Sequence, residues 1–294
     1  MKNLKPEGAL LRKEEKEEPE APDTKPVISG LTLPALQELL RPLPTYRARQ
    51  VFQWIARGTP SFRLMTDLPA PLRETLDSRF SIRSSSTGER LDGSDGTVKL
   101  GITLRDGNRI EAVILSDAKE RRTACLSVQA GCAMACVFCK TGRLGFSRNL
   151  TSEEMVEQFL HLRSVRETVS HIVFMGMGEP LLNLGELRKA VDVLTDPEGL
   201  GLSKRHITLS TSGIAEGIRD LAENGPDVRL AVSLTTACGA LRARLMPAAG
   251  ARPLAALKDA LLYYQSRRER RVTLEAVLLG GINTREQDMD ALKR

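Results

Sequence analysis

Aromatic residues are scarce in this 294-residue chain: one Trp, three Tyr and seven Phe, 4% in all. Composition therefore offers no ready stacking platform for nucleic-acid bases. Histidine is rarer still, and His161, His171 and His206 are too scattered to form a metal-binding pair, so each is expected to be a packing or surface residue. No stretch reaches about 18 uninterrupted apolar residues, so no membrane-spanning helix is expected. The N-terminus, Met-Lys-Asn-Leu-Lys-Pro-Glu-Gly, lacks the apolar segment of a secretory signal. Hydrophobic residues nevertheless make up 41%, enough to bury a core in one large domain or in one domain with an accessory unit. The net charge is +6; the first 26 residues hold six basic and seven acidic residues, which leaves about +7 on the rest. A basic body of this kind suits a polyanionic partner such as RNA.

Cysteine is sparse and clustered. Cys132, Cys136 and Cys139 stand in a CxxxCxxC pattern, with Cys125 seven residues upstream and Cys238 apart from them. Without an export signal, such cysteines are expected to be reduced thiols in the cytoplasm, used for metal binding or catalysis rather than as disulfide staples. Three thiolates on one short loop can hold three irons of a cubane cluster. The ordinary arrangement uses four cysteines, so the remaining iron is left open to a ligand. Zinc is the competing reading, but it wants a fourth Cys or His and usually paired knuckles, and nothing downstream supplies them.

Residues 1–26, with their Lys/Glu run and prolines, read as a disordered tail. Residues 27–92 read as a small helical domain. Helices are expected from Leu33, over Tyr46–Ala56 and from Leu68 to Phe80, with Trp54 as a core anchor. Alternating apolar residues on either side of Asp106-Gly107-Asn108 predict a hairpin over 96–115, with Glu111 on the face opposite Ile110, Ala112 and Ile114. From Thr123 onward strands and helices alternate. Strands are expected over 123–129, 171–174, 207–210, 228–234 and 271–279. Helices are expected near 152–166, 185–194, 215–223, 254–264 and from 284. Repeated βα units predict an α/β fold with a parallel sheet, here a barrel or partial barrel with its site at the strand C-terminal ends.

The chemistry-bearing motifs all fall at those strand ends. The cysteine loop follows the first strand, and Met175-Gly-Met-Gly-Glu-Pro180 follows the second. Glycines there let backbone approach a ligand closely, and Glu179 can take an ammonium group. The third strand ends at Ser210 and the fourth at Ser233, where hydroxyls suit a ribose or a carboxylate. Either serine alone would read as a cap or turn residue; their shared position gives them a functional reading.

These stretches resemble the RlmN/Cfr family of radical S-adenosylmethionine (SAM) enzymes, which methylate an adenine base in RNA. The resemblance rests on Arg122-Thr-Ala-Cys125-Leu-Ser-Val-Gln-Ala-Gly-Cys132, Gly145-Phe-Ser-Arg-Asn-Leu150, Gly176-Met-Gly-Glu-Pro-Leu-Leu-Asn183 and Gly201-Leu-Ser-Lys-Arg-His-Ile-Thr-Leu-Ser-Thr-Ser-Gly213. It spans roughly residues 28–294 and implies an open (β/α)₆ barrel over 93–294 behind an N-terminal helical domain that contacts RNA. It implies a 4Fe–4S cluster on Cys132, Cys136 and Cys139, shielded by Phe138. SAM contacts are implied at Gly178, Glu179, Ser210, Ser233, Leu234 and Thr235. In the family one SAM methylates a cysteine near the C-terminus. A second yields a 5′-deoxyadenosyl radical, which takes a hydrogen atom from the methyl-cysteine. The carbon radical then adds to adenine, and a second cysteine promotes proton removal and closes a transient disulfide. Cys125 matches that second cysteine and Glu111 a family proton acceptor.

Two departures stand out. Thr235 occupies a position where the family commonly has His, a change that a backbone contact to SAM would survive. The sixth strand, a SAM-contacting Asn and the methyl-carrying cysteine of the family all lie beyond Arg294. Cys238 does not match the carrier, and we expect a truncated fragment. The expected activity is methylation of adenine carbon 2 in 23S ribosomal RNA, with transfer RNA as a further substrate. Flavodoxin or ferredoxin is the expected electron donor to a monomeric protein. The alternatives are methylation at carbon 8 and a non-catalytic protein that binds the cluster or RNA.

Overall fold

The computed structural model describes residues 24–118 and 121–293, so the tail expected over 1–26 lies almost wholly outside the described residues. The chain opens with three helices: α1 Leu33–Leu39, α2 Thr45–Ala56 and α3 Ala70–Arg79. Thr32 caps α1 by accepting the Ala35 N–H, and Pro34 sits in its first turn. Helix α2 turns Ala48, Val51, Phe52 and Ile55 inward. Trp54 is out of phase with that stripe and is not the anchor expected of it. It lies at the edge, half-buried, with its indole N–H donating to Asp67 Oδ1 at 2.6 Å and Arg57 stacked over its ring.

Eight strands form one mixed sheet. β1 Ser86–Asp92, β2 Val98–Thr103, β3 Arg109–Ser116 and β4 Arg122–Cys125 run antiparallel to one another in turn. The expected hairpin is β2 and β3. Strand β1 is an addition; every residue in it is exposed, so it carries no alternating pattern to read, and it extends sheet structure into the segment assigned to the helical domain. The strand expected over 123–129 is two strands. Its second part, β5 Gln129–Gly131, leaves the main sheet and pairs with β6 Phe146–Asn149. The break falls at Ser127, whose N–H donates to the buried Gln158 Oε1 at 2.7 Å rather than to a strand partner.

Beyond this, β7 Val169–Phe174, β8 Ile207–Thr211, β9 Arg229–Ser233 and β10 Val272–Glu275 continue parallel to β4, in the order β4-β7-β8-β9-β10. The intervening helices are α4 Lys140–Leu144, α5 Ser152–Val165, α6 Leu184–Thr195, α7 Ala215–Asn224, α8 Gly239–Leu245, α9 Pro247–Gly250 and α10 Leu254–Arg268, with α11 Glu286–Lys293 last. Helix α5 starts as expected at Ser152, capped by Thr151, whose N–H donates to the Glu154 carboxylate one turn ahead. A single apolar cluster runs from Ile28 through the helical unit and the sheet to Tyr264. No helix among the described residues is long and apolar enough to cross a membrane.

Candidate active site

A cavity of about 280 Å³ opens over the C-terminal ends of the parallel strands. Cys132, Cys136 and Cys139 line it from the loop after β5, Gly178 and Glu179 from the loop after β7, Ser210 from β8 and Ser233 from β9. Seven residues singled out across about 100 positions of sequence thus face one space. Phe138 lines it beside Cys139.

The local chain explains how each arrives there. The cysteine loop is pinned at its start by the Cys132 N–H on the Gly145 carbonyl, 2.8 Å, and turned at its end by the Cys139 N–H on the Cys136 carbonyl, 3.1 Å. Gly178 has φ +106°, and a Cβ there would lie 2.8 Å from the Gln129 backbone nitrogen, so only glycine lets this loop press against the cysteine-bearing segment. Glu179 is 2% exposed. Its Oε2 accepts the Ser212 N–H at 2.7 Å and the Ser212 hydroxyl at 2.6 Å, and its Oε1 accepts the Leu181 N–H at 3.1 Å. A carboxylate offers about four acceptor sites, so one remains for a ligand, together with the negative charge. Ser210 Oγ lies 3.4 Å from both Ser233 Oγ and Glu275 Oε2.

Burial pushes the Cys136 thiol up to about 11 and raises Cys132 as well, with the neighbouring cysteines and Glu179 adding to the effect. All five cysteines are free thiols.

Four of the residues marked in the sequence lie outside the cavity lining. Leu234 and Thr235 form the turn after β9, both backbone N–H groups donating to the Glu275 carbonyl, at 2.9 and 3.2 Å. Thr235 is 1% exposed and has φ +61°, a strained conformation for a β-branched residue. Cys125 stands on β4 opposite Val113 of β3, and Glu111 lies two residues along from Val113, on the same sheet face as Cys125. Glu111 is exposed and paired with Lys99 at 2.9 Å. Cys125 is half-buried, with the Met175 N–H directed at its sulfur, and burial raises its thiol to about 11.

Glu275 and Met246, neither of them expected from the sequence, also line the cavity. Glu275 carried a usable signal, a carboxylate at a strand C-terminal end like the two serines. Met246 follows α8, a helix that the hydrophobic pattern did not reveal.

The donor set fits an iron–sulfur cluster better than a single ion. Zinc draws its thiolates in to about 2.3 Å, and no three His, Cys, Asp or Glu groups among the described residues stand close enough together for one ion. Cys132, Cys136 and Cys139 share the wall of a cavity, as donors to three separate irons of one cluster would. Opposite them, the Glu179 and Glu275 carboxylates and the Ser210 and Ser233 hydroxyls offer acceptors for the ammonium and ribose groups of an amino-acid nucleoside such as SAM.

Residues 126–292 match the family model of the radical SAM superfamily, and residues 28–82 that of the ribosomal RNA large subunit methyltransferase N-terminal domain. A probable dual-specificity RNA methyltransferase RlmN of Treponema pallidum is 49% identical over 88% of this chain and 76% of its own length. The protein of the same name from Moorella thermoacetica is 43% identical over 91% of this chain and 79% of its own. The crystal structure of a radical SAM methyltransferase from Sphaerobacter thermophilus superposes with a TM-score of 0.87 at 38% identity, covering 91% of this chain and 80% of that one. The chain belongs to the radical SAM superfamily and, within it, to the RlmN methyltransferase family.

Proposed function

We propose that this protein methylates carbon 2 of an adenine in 23S ribosomal RNA, and in transfer RNA, through a methyl-cysteine. The observation that carries the reading is the convergence of the three cysteines with Gly178, Glu179, Ser210 and Ser233 on one cavity. In this reading Cys132, Cys136 and Cys139 hold a 4Fe–4S cluster. When bound and reduced, by a flavodoxin or ferredoxin, the cluster supplies the electron that cleaves SAM to a carbon-centred radical. Glu179 holds the SAM ammonium, with Gly178 opening the approach. Ser210 and Ser233 orient the nucleoside, and the Leu234–Thr235 turn fixes Ser233 through the Glu275 carbonyl. Cys125 and Glu111, on one sheet face, manage the proton that leaves the methylated ring.

The reacting carbon is inaccessible in a stacked helix, so the adenine must be flipped out or unpaired. Residues 27–92 form the accessory domain that contacts RNA, in line with the N-terminal family match. Of the basic residues of the core, Arg148 is committed to Asp106 and Glu154, and Lys204, just before β8 and so at the end of the sheet away from the cavity, faces Asp192. Lys140 and Arg143, which follow the cysteine loop, have no carboxylate partner among the described residues and are the ones open to phosphate.

The test is an anaerobic incubation of the iron-loaded protein with SAM, a low-potential reductant and protein-free 23S RNA. The methyl-carrying thiol of this reading is not one of the five cysteines of the sequence. These 294 residues are therefore expected to bind SAM without forming 2-methyladenosine. 5′-Deoxyadenosine and 2-methyladenosine are expected together once the same residues are joined to a segment carrying that thiol, whose methyl group supplies the hydrogen atom. The carbon-8 isomer would replace this reading with its regiochemical alternative, and absence of 5′-deoxyadenosine from the joined protein would overturn both.

A further inference from the structure

Arg242, on α8, is one of the largest fully buried side chains of the molecule, 1% exposed. A buried guanidinium is costly unless a carboxylate or another anion answers its charge. None of the ion pairs among the described residues involves Arg242. Its one side-chain hydrogen bond goes from Nη2 to a neutral acceptor, the Ser212 carbonyl, at 2.5 Å, and its Nε has no partner. The side chain placed to offset its desolvation is Cys136, which answers the charge once it is a thiolate. The fold holds the two together: the Val137 N–H of the cysteine loop donates to the Leu245 carbonyl of α8 at 3.0 Å. On the opposite side, a Cβ at Gly213 would lie 3.2 Å from Arg242 Nη2. The chain thus keeps a positive charge, incompletely answered, directly behind the loop that carries three thiols.

We infer that Arg242 is a positioning residue for the cluster: its buried charge compensates the anionic, thiolate-held cluster and raises the cluster's reduction potential. The inference rests on the reading that Cys132, Cys136 and Cys139 hold that cluster. Three thiolates leave a 4Fe–4S centre a net anion, and one-electron reduction by a low-potential donor adds a further negative charge. A fixed cation in a low-dielectric setting favours the more negative state. Ser212, which accepts from Arg242, also donates twice to Glu179, so the same side chain braces the far wall of the cavity.

The experiment loads wild type, Arg242→Lys, Arg242→Gln and Arg242→Met with iron and sulfide. It measures iron content, the melting temperature of the metal-free protein, and the midpoint potential by electrochemical titration with optical and EPR detection. Gln and Met are expected to shift the midpoint negative, the reduced-to-oxidised ratio at a fixed potential falling about tenfold, or about 59 mV for one electron. Lys is expected to retain most of the wild-type value. Metal-free Arg242→Met should melt no lower than wild type, because removing an uncompensated buried charge relieves a cost. Loaded Gln and Met variants with an unshifted midpoint would overturn this inference alone. So would iron loading lost equally in Lys, Gln and Met. Wild-type protein that takes up no iron would overturn the cluster reading and this inference together.

Discussion

Glu179 serves the fold and, in the proposed reading, a ligand as well. Three protein donors converge on its carboxylate, two of them from Ser212 at the far side of the cavity. Glu179→Ala leaves three buried donors unpaired, at about 1–3 kcal/mol each. It is expected to lower the urea midpoint strongly as well as abolish SAM binding. Glu179→Gln keeps the shape and loses the charge, so stability should fall by only about 1 kcal/mol, while calorimetry should show SAM affinity reduced at least tenfold. Equal losses of stability in the two variants would remove the separate ligand role. This residue was legible in advance, because Gly176-Met-Gly-Glu-Pro carries its context within five positions. Arg242 was not, because its meaning depends on Ser212 and Cys136, 30 positions away in one case and in a different βα unit in the other. In sequence it is one of two arginines on a short helix.

At the scale of elements, the joint between the helical unit and the barrel is a buried polar cluster. Glu157 of α5 is 0% exposed and accepts from the Ser29 hydroxyl and from the backbone and hydroxyls of Ser84 and Ser85. His161, one turn on, has its Nε2 within 3.0 Å of the Ser85 hydroxyl oxygen. Glu157→Ala is expected to destabilise by about 3 kcal/mol and to expose the linker around Ser84 to proteolysis first. Burial holds the His161 imidazole down at about 4, against the usual 6.5. The unfolded chain therefore takes up this proton first, so stability is full above about pH 6.5 and falls as pH drops towards 4. Glu157, raised by its burial, works in the opposite sense, since the folded carboxyl takes a proton more readily than the unfolded one. His161→Gln should flatten the loss between pH 6.5 and 4 in urea titrations; a curve unchanged from wild type would exclude His161 as its source.

Elements were legible where a single pattern governed them. β2 and β3 alternate cleanly around Asp106-Gly107, and β7, β8 and β9 lie where apolar runs end in Gly, Ser or Thr. β1, β6 and α8 were missed because their stability comes from partners rather than periodicity: β1 is exposed throughout, and β6 exists by pairing with β5.

For the molecule as a whole, the charge excess of +6 matters through its placement. Lys140 and Arg143 lie at the cavity rim without carboxylate partners, beside the exposed Leu144 and Phe146. RNA affinity is expected to fall by at least about tenfold between 50 and 200 mM salt. Replacing both cations with Ala should lessen that salt dependence while leaving SAM binding intact. An unchanged slope in a filter-binding assay would place the phosphate contacts elsewhere.

The central claim is that the three cysteines facing this cavity hold a cluster whose open iron binds SAM. It is tested most directly by iron counting and EPR of the anaerobically loaded, reduced protein, with and without SAM. Close to four irons per chain are expected, lost in Cys132→Ala, Cys136→Ala and Cys139→Ala, with a reduced-cluster signal that changes when SAM is added. Zinc in place of iron, or a cluster signal indifferent to SAM, would contradict it.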